Sequence, residues 1–172
     1  RPRAPGHATG AYAGPVPKSP APAAAARSST PRNPIGTHVQ VGKGLHSGAL
    51  ASADLLGCET LQVFVGNPRG WALSAGNATQ DRLFRDACAE RGIRTFIHSP
   101  YLVNLGSPTL KTYQNSIAVL AHNLRRAVEI GAEGVVVHTG SYVDPSGGAD
   151  DRHAAAMSQV REGLLPLLEQ IE

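Results

Sequence analysis

Phe96-Ile97-His98-Ser99-Pro100-Tyr101-Leu102-Val103-Asn104-Leu105-Gly106 is a short apolar run that delivers a histidine, breaks at Ser-Pro and passes through a loop toward Ser107-Pro108. Gly134-Val135-Val136-Val137-His138-Thr139-Gly140-Ser141 repeats the design: an apolar strand, a histidine at its end, then a loop. Two strand-end histidines on successive strand–helix units put their side chains at one mouth. That placement decides how the remainder is read.

Working outward, each strand signal is followed by a helix signal. Ile35–Val41 alternates as a strand, and Leu45–Leu56 reads as a helix stopped by Gly57. Glu59–Val65 is a second strand. Thr79 is the expected cap of a helix with Leu83, Phe84, Ala87 and Cys88 on one face and Gly92 at its end. Ile93–His98 is the third strand. Ser107-Pro108 then opens a long helix to Ile130, with Leu110, Tyr113, Ile117, Leu120, Leu124 and Val128 at three-to-four spacing. Gly134–His138 is the fourth strand, its Val run suited to a sheet covered on both faces. Asp150 and Asp151 open a last helix through Met157, Val160, Leu164 and Leu168, with a kink expected at Pro166.

Repeated βα units define a parallel α/β fold, either an open doubly wound sheet or a closed barrel. Both gather ligands at the carboxyl ends of the strands. His38, Asn67, His98 and His138 sit at or just past such ends.

Composition limits the function classes. The 172 residues suffice for one domain with a real core, and no apolar run approaches the ~18 residues of a membrane span. The net charge of +3 comes from residues 1–34, where Arg1, Arg3, Lys18, Arg27 and Arg32 face no acid. From residue 35 on, 11 Lys or Arg stand against 13 Asp or Glu, a net of −2, so bulk charge is no argument for nucleic-acid binding. Residues 1–34 hold eight Pro, nine Ala and three Gly without periodicity and read as a disordered basic tail ahead of a folded 35–172. The tail superficially resembles a transit peptide; a floppy tail or translated upstream sequence is the preferred reading. Arg1 in place of Met, and an end at Glu172 where a fifth strand is due, lead us to expect a longer reading frame. Cys58 and Cys88 lack metal-like or redox spacing and read as reduced, partly buried residues, as in a reducing cytosol.

His98 and His138 are the candidate metal ligands, since neutral imidazole binds zinc well and strand ends supply convergence. A single strand-end histidine is more often structural; a pair at equivalent places raises metal binding to a serious alternative. Asn67-Pro68-Arg69-Gly70-Trp71 joins a rigid turn, a guanidinium and the only Trp, which suits phosphate contact and base stacking. Trp71 packed under its own loop beside a solvated Arg69 is the bland alternative. Tyr101 reads equally as a wedge against bases or as a core phenol. His46, His122 and His153 fall in expected helices and read as surface or packing residues.

Gly36-Thr37-His38-Val39, Gln62-Val63-Phe64-Val65-Gly66-Asn67-Pro68-Arg69-Gly70-Trp71, the His98–Gly106 stretch and Val137-His138-Thr139-Gly140-Ser141 stand in the order and spacing of the endonuclease IV family. The chain resembles that family across residues 35–172. One motif is weak; four in register are specific. The resemblance implies a TIM barrel, of which this chain holds the first four βα units, the N-terminal half. It implies zinc, three ions in the full-length enzyme and at most a partial site here, with His98 and His138 matching two histidine ligands. Arg69 matches a residue that enters the DNA stack, Tyr101 one from the neighbouring recognition loop, and Asn67 and Trp71 belong to the same DNA-facing loop. His38 receives no ligand role.

The implied activity is a zinc-dependent endonuclease of base-excision DNA repair, hydrolysing the phosphodiester 5′ to abasic sites to leave a 3′-hydroxyl. A metal-activated water is the expected nucleophile, so no side chain is assigned as catalytic. The expected partner is double-stranded DNA with abasic or 3′-blocked damage, met by a monomer in the cytoplasm near the nucleoid, with no membrane involved. Two departures stand out: Tyr142 replaces a second histidine found in some members, and the family's later Glu, Asp-x-x-His and further ligands are absent. The polypeptide as it stands is therefore expected to bind zinc weakly and not to cleave. The competing readings are a sugar isomerase or epimerase of the same barrel superfamily, and a non-catalytic DNA-binding remnant.

Overall fold

The computed structural model describes residues 33–142 and 152–169. Strands β1 (Gly36–His38), β2 (Thr60–Val63), β3 (Arg94–His98) and β4 (Gly134–Val136) pair in parallel, each beside its neighbour in sequence. No switch point interrupts that order, so the sheet winds as a barrel wall rather than as a doubly wound sheet. A π-helical segment, Leu45–Leu50, runs into α1 (Ala51–Leu56); α2 (Ala78–Arg91), α3 (Leu110–Ile130) and α4 (Arg152–Leu168) complete the chain order. The architecture is a partial TIM barrel of four βα units. Of the expected tail, residues 1–32 lie outside the described residues, as does the Asp150-Asp151 helix opening.

Side chains alternate across a strand, and the helices cover only one face. Leu61, Val63 and Ile97 point to that face and are fully buried with Phe84, Ala49 and Ile130 in the main core. A second cluster, Val103, Leu105, Val119, Leu120 and Leu167, fills the space between α3, α4 and the loop after β3. On the opposite face Gln62, Phe96 and His98 are half-buried and His38 is exposed.

Several sequence expectations need correction. The strands are shorter than expected, because only part of each run finds ladder partners: Gly36–His38, Thr60–Val63, Arg94–His98 and Gly134–Val136. Asn77, not Thr79, caps α2, its Oδ1 accepting from Gln80 N at 3.0 Å. The Ser107-Pro108 pair does not open α3. Ser107 Oγ accepts from Thr109 N at 3.1 Å in a local turn, Thr109 becomes the cap residue and the helix starts at Leu110. The buried stripe of α3 is rotated from the apolar one: Leu110 and Val128 are exposed, whereas Ser116, Asn123 and Arg126 are buried. Likewise Met157 and Leu168 of α4 are exposed while Leu167 is buried. Among the described residues β4 is an edge strand with Val136 exposed, not a strand covered on both faces.

Among the described residues three ion pairs join neighbouring units, Arg91 of α2 with Asp54 of α1 being one. Arg126 Nη2 of α3 donates to Asp81 Oδ2 of α2 at 2.8 Å, with both side chains buried. At the amino ends of the strands Arg94 Nε donates to Glu133 Oε2 at 2.7 Å on the surface. Hydrogen bonds from the Arg94 guanidinium hold the Glu133 carboxyl below the usual carboxylate range.

Candidate active site at the strand ends

Parity and register assemble the mouth. His38 closes β1 and pairs with Gln62; Gln62 pairs with Phe96, two residues before His98 at the end of β3. Side chains two apart share a face, so His38, Gln62, Phe64 and His98 point the same way. The rings pack into one patch: Phe64 lies 4.5 Å from His38 and 5.2 Å from His98, centroid to centroid. Tyr101 stands edge-on to Phe64 at 5.3 Å and to His98 at 5.6 Å.

His138 follows β4 by two residues and meets His98 directly, with Nε2 to Nε2 at 3.2 Å. His98 Nδ1 lies 2.6 Å from the carbonyl of Ser99, and only a protonated Nδ1 can donate there. The tautomer with its proton on Nδ1 presents the Nε2 lone pair toward His138. His38 Nδ1 lies 3.0 Å from Gln62 Oε1, which orients the third imidazole.

The two imidazoles fit a shared cation. With metal–nitrogen bonds of ~2.0–2.1 Å, adjacent ligand atoms around one tetrahedral ion stand a little over 3 Å apart, as these two Nε2 atoms do. Fixing the ligating histidine's other nitrogen on a carbonyl is the usual support for such a role. Among the described residues no group of three His, Cys, Asp or Glu gathers closely enough to enclose an ion. Glu59 sits at the amino end of β2, where its Oε2 accepts from Ile35 N at 3.2 Å, away from the mouth.

Of the loop residues singled out from the sequence, Tyr101 packs on His98 and Asn67 lines a cavity together with it. Asn67 turns its side chain inward on its own loop, Oδ1 accepting from Arg69 N at 2.9 Å, and so shapes the turn that carries Arg69. Trp71 is half-buried against the second apolar cluster, which anchors the loop and leaves only part of the indole to solvent. Tyr101 is 61% exposed, a wedge-like position rather than a core one. Its backbone N–H donates to the carbonyl of Pro68 at 3.0 Å, which ties the Arg69 loop to the Tyr101 loop.

Three contributors escape the sequence reading. Gln62 and Phe64 are legible in principle from strand parity with His38. Asn104 lies within the His98–Gly106 motif, but nothing local in the sequence signals that its side chain bridges the loops after β3 and β4.

A parallel barrel wall with its chemistry at the strand ends defines the class: a TIM-barrel protein with an enzyme-type mouth. The xylose isomerase-like TIM barrel family matches residues 50–172, and the chain belongs to that family. It is 51% identical over 148 residues to "Probable endonuclease 4" of Streptomyces coelicolor, covering 86% of this chain and 49% of that protein. The "Probable endonuclease 4" of Streptomyces avermitilis is 54% identical over 140 residues, covering 81% and 44%. Among solved structures, endonuclease IV from Thermus thermophilus superposes with a TM-score of 0.67 at 31% identity, over 81% of this chain and 47% of that one. The chain thus spans about half the length of the relatives it matches. The resemblance drawn from the four motifs holds.

Proposed function

We propose that this chain carries the first half of the active site of a zinc-dependent endonuclease that cuts DNA 5′ to abasic sites. The observation that supports it is the His98–His138 pair, Nε2 to Nε2 at 3.2 Å, beside a tied pair of loops bearing Arg69 and Tyr101. His98 and His138 would hold one zinc ion, which when bound supplies Lewis-acid activation of water and of the phosphodiester. Arg69 contacts the DNA backbone or fills the gap left by the missing base, and Tyr101 wedges against the neighbouring base. A stack with a missing base costs less to open than an intact one, which gives the loops their preference. Trp71 holds the loop in place from beneath. Further metal ligands would come from outside the described residues. The product of the whole protein's reaction is a 3′-hydroxyl, as base-excision repair requires, and its substrate is double-stranded DNA.

The test pairs metal with DNA. Zinc titration of the purified chain is expected to show binding that His98→Ala and His138→Ala each abolish. Fluorescence anisotropy is expected to favour a duplex with one abasic site over the intact duplex, a preference lost in Arg69→Ala and Tyr101→Ala. Equal binding of both duplexes, or zinc binding indifferent to His98→Ala, refutes the reading. Conversion of a ketose by the whole protein would transfer the site to sugar chemistry instead.

A further inference from the structure

We propose that Asn104 is the positioning residue that sets the separation of the two imidazoles. This rests on the reading of His98 and His138 as a cation-binding pair. The β3–β4 ladder ends at His98 opposite Val136, extended by one bond from Ser99 N to Val136 O at 2.9 Å. Beyond Val136 the chain leaves the sheet, so the sheet alone does not place His138.

The loop after β3 takes over. Thr139 O accepts from Leu105 N at 2.8 Å and from Gly106 N at 3.2 Å. The Asn104 carboxamide then bonds both backbone groups of Ser141: Nδ2 donates to Ser141 O at 3.0 Å, and Oδ1 accepts from Ser141 N at 3.0 Å. This is the pairing two adjacent strands would make, supplied by a side chain. Between the anchors lies Gly140 at φ +99°, where an added Cβ would stand 2.0 Å from Asn104 Oδ1. The close approach thus requires glycine at that position.

Asn104 is itself held. Its backbone N–H donates to Ser116 Oγ at 2.9 Å, and that buried hydroxyl donates to Thr112 O of α3 at 2.7 Å. His138 is thereby referenced through Asn104 to the same loop that starts at His98. No other side chain of similar size does this. Asp offers acceptors only and repels the Ser141 carbonyl, Gln adds a methylene, and Ala offers nothing.

The experiment uses the chain with Asn104→Asp and Asn104→Ala, each checked for folding by circular dichroism. In the metal-free wild type, NMR is expected to show a cross-relaxation peak between the His98 and His138 ring protons. Both variants are expected to lose it while the core methyl spectrum stays unchanged. Co²⁺ affinity, read from its visible absorption, is expected to weaken by ~10–100-fold, less in Asn104→Asp, which keeps one of the two bonds. A persistent peak with unchanged Co²⁺ affinity overturns the proposal while leaving the metal reading intact. A wild type that shows the peak but binds no Co²⁺ overturns the metal reading and leaves the positioning role standing. Unfolding of both variants assigns Asn104 to the fold and also overturns it.

Discussion

Removing Asp81 tests whether the α2–α3 seam under the mouth depends on one buried charge. Arg126 is 3% exposed and Asp81 is 6% exposed, joined at 2.8 Å. Arg126 Nη1 also reaches Glu129 and lies 3.5 Å from the Ala75 carbonyl, while its buried Nε has no hydrogen-bond partner among the described residues. Breaking a buried pair by deleting one partner costs about 3–5 kcal/mol, because the other charge stays desolvated. Glu129 remains beside the guanidinium with its side chain about half exposed, so Asp81→Ala belongs at the low end, about 3 kcal/mol. Asp81→Asn keeps an acceptor and exchanges a charge-assisted bond for a neutral one, a loss of about 1–2 kcal/mol.

For a domain of this size those losses correspond to a Tm lowered by roughly 10 °C and 5 °C. Urea unfolding followed by circular dichroism measures them, with an unchanged m-value showing that the same surface is exposed. The double variant Asp81→Ala/Arg126→Met removes both charges and is expected to be more stable than Asp81→Ala alone. An Asp81→Ala loss below about 1 kcal/mol, or a double variant at least as damaged as the sum of the singles, refutes the reasoning. A loss of loop order is expected alongside. The guanidinium lies against Gly76, where an added Cβ would be 2.2 Å from Nη2, so it backs the segment that follows the Arg69 loop.

Asn77→Ala is expected to cost about 1 kcal/mol by urea midpoint whereas Thr79→Ala stays within about 0.5, which separates the true cap from the apparent one. Glu133 has its pKa lowered in the folded state by Arg94, so the pair's contribution is present above the unfolded carboxylate value of about 4.3 and is lost as pH falls through the lowered folded value. Glu133→Gln should flatten the acid limb of a stability–pH curve, with the difference shrinking at high salt; an unchanged limb would count against the pair. Burial pushes the Cys88 thiol up, so it should stay unreactive toward a thiol reagent in the native protein and react on unfolding, whereas fast native labelling at Cys88 would show that the core opens there.

Motif and periodicity carry the fold a long way, and their failures have a common cause. Glycine stops after α1, α2 and α3 are legible because each helix ends on a left-handed residue that only glycine takes freely: Gly57, Gly92 and Gly131. The caps are not, because Asn77, Thr79, Ser107 and Thr109 are all capping types, and the entry direction of the loop decides among them. The buried face of α3 is hidden because Arg126 and Ser116 are polar yet internal, each bonded to a group distant in sequence or one turn back: Asp81 for Arg126, Thr112 for Ser116. A hydrophobic pattern cannot register a charge whose partner sits on another helix. For β4, an apolar run suggests two covered faces. Covering is a property of the neighbours, and here only the helix side has them among the described residues.

The site follows the same division between what local sequence encodes and what the fold adds. Strand parity brings His38, Gln62, Phe64 and His98 to one face, and register brings β1, β2 and β3 level, so these four are within reach of sequence argument. A motif locates His138, but its 3.2 Å approach to His98 is made outside the ladder, by contacts of Leu105, Gly106 and Asn104 with the Thr139–Ser141 turn. The bond from Tyr101 N to Pro68 O then ties the histidine-bearing loop to the Arg69 loop. The His98 loop is therefore hydrogen-bonded both to the turn after His138 and to the Arg69 loop. On the proposed function, the same backbone segment would couple DNA engagement at Arg69 and Tyr101 to the geometry of the imidazole pair. The sheet supplies proximity, and the loop Ser99–Gly106 converts it into a site.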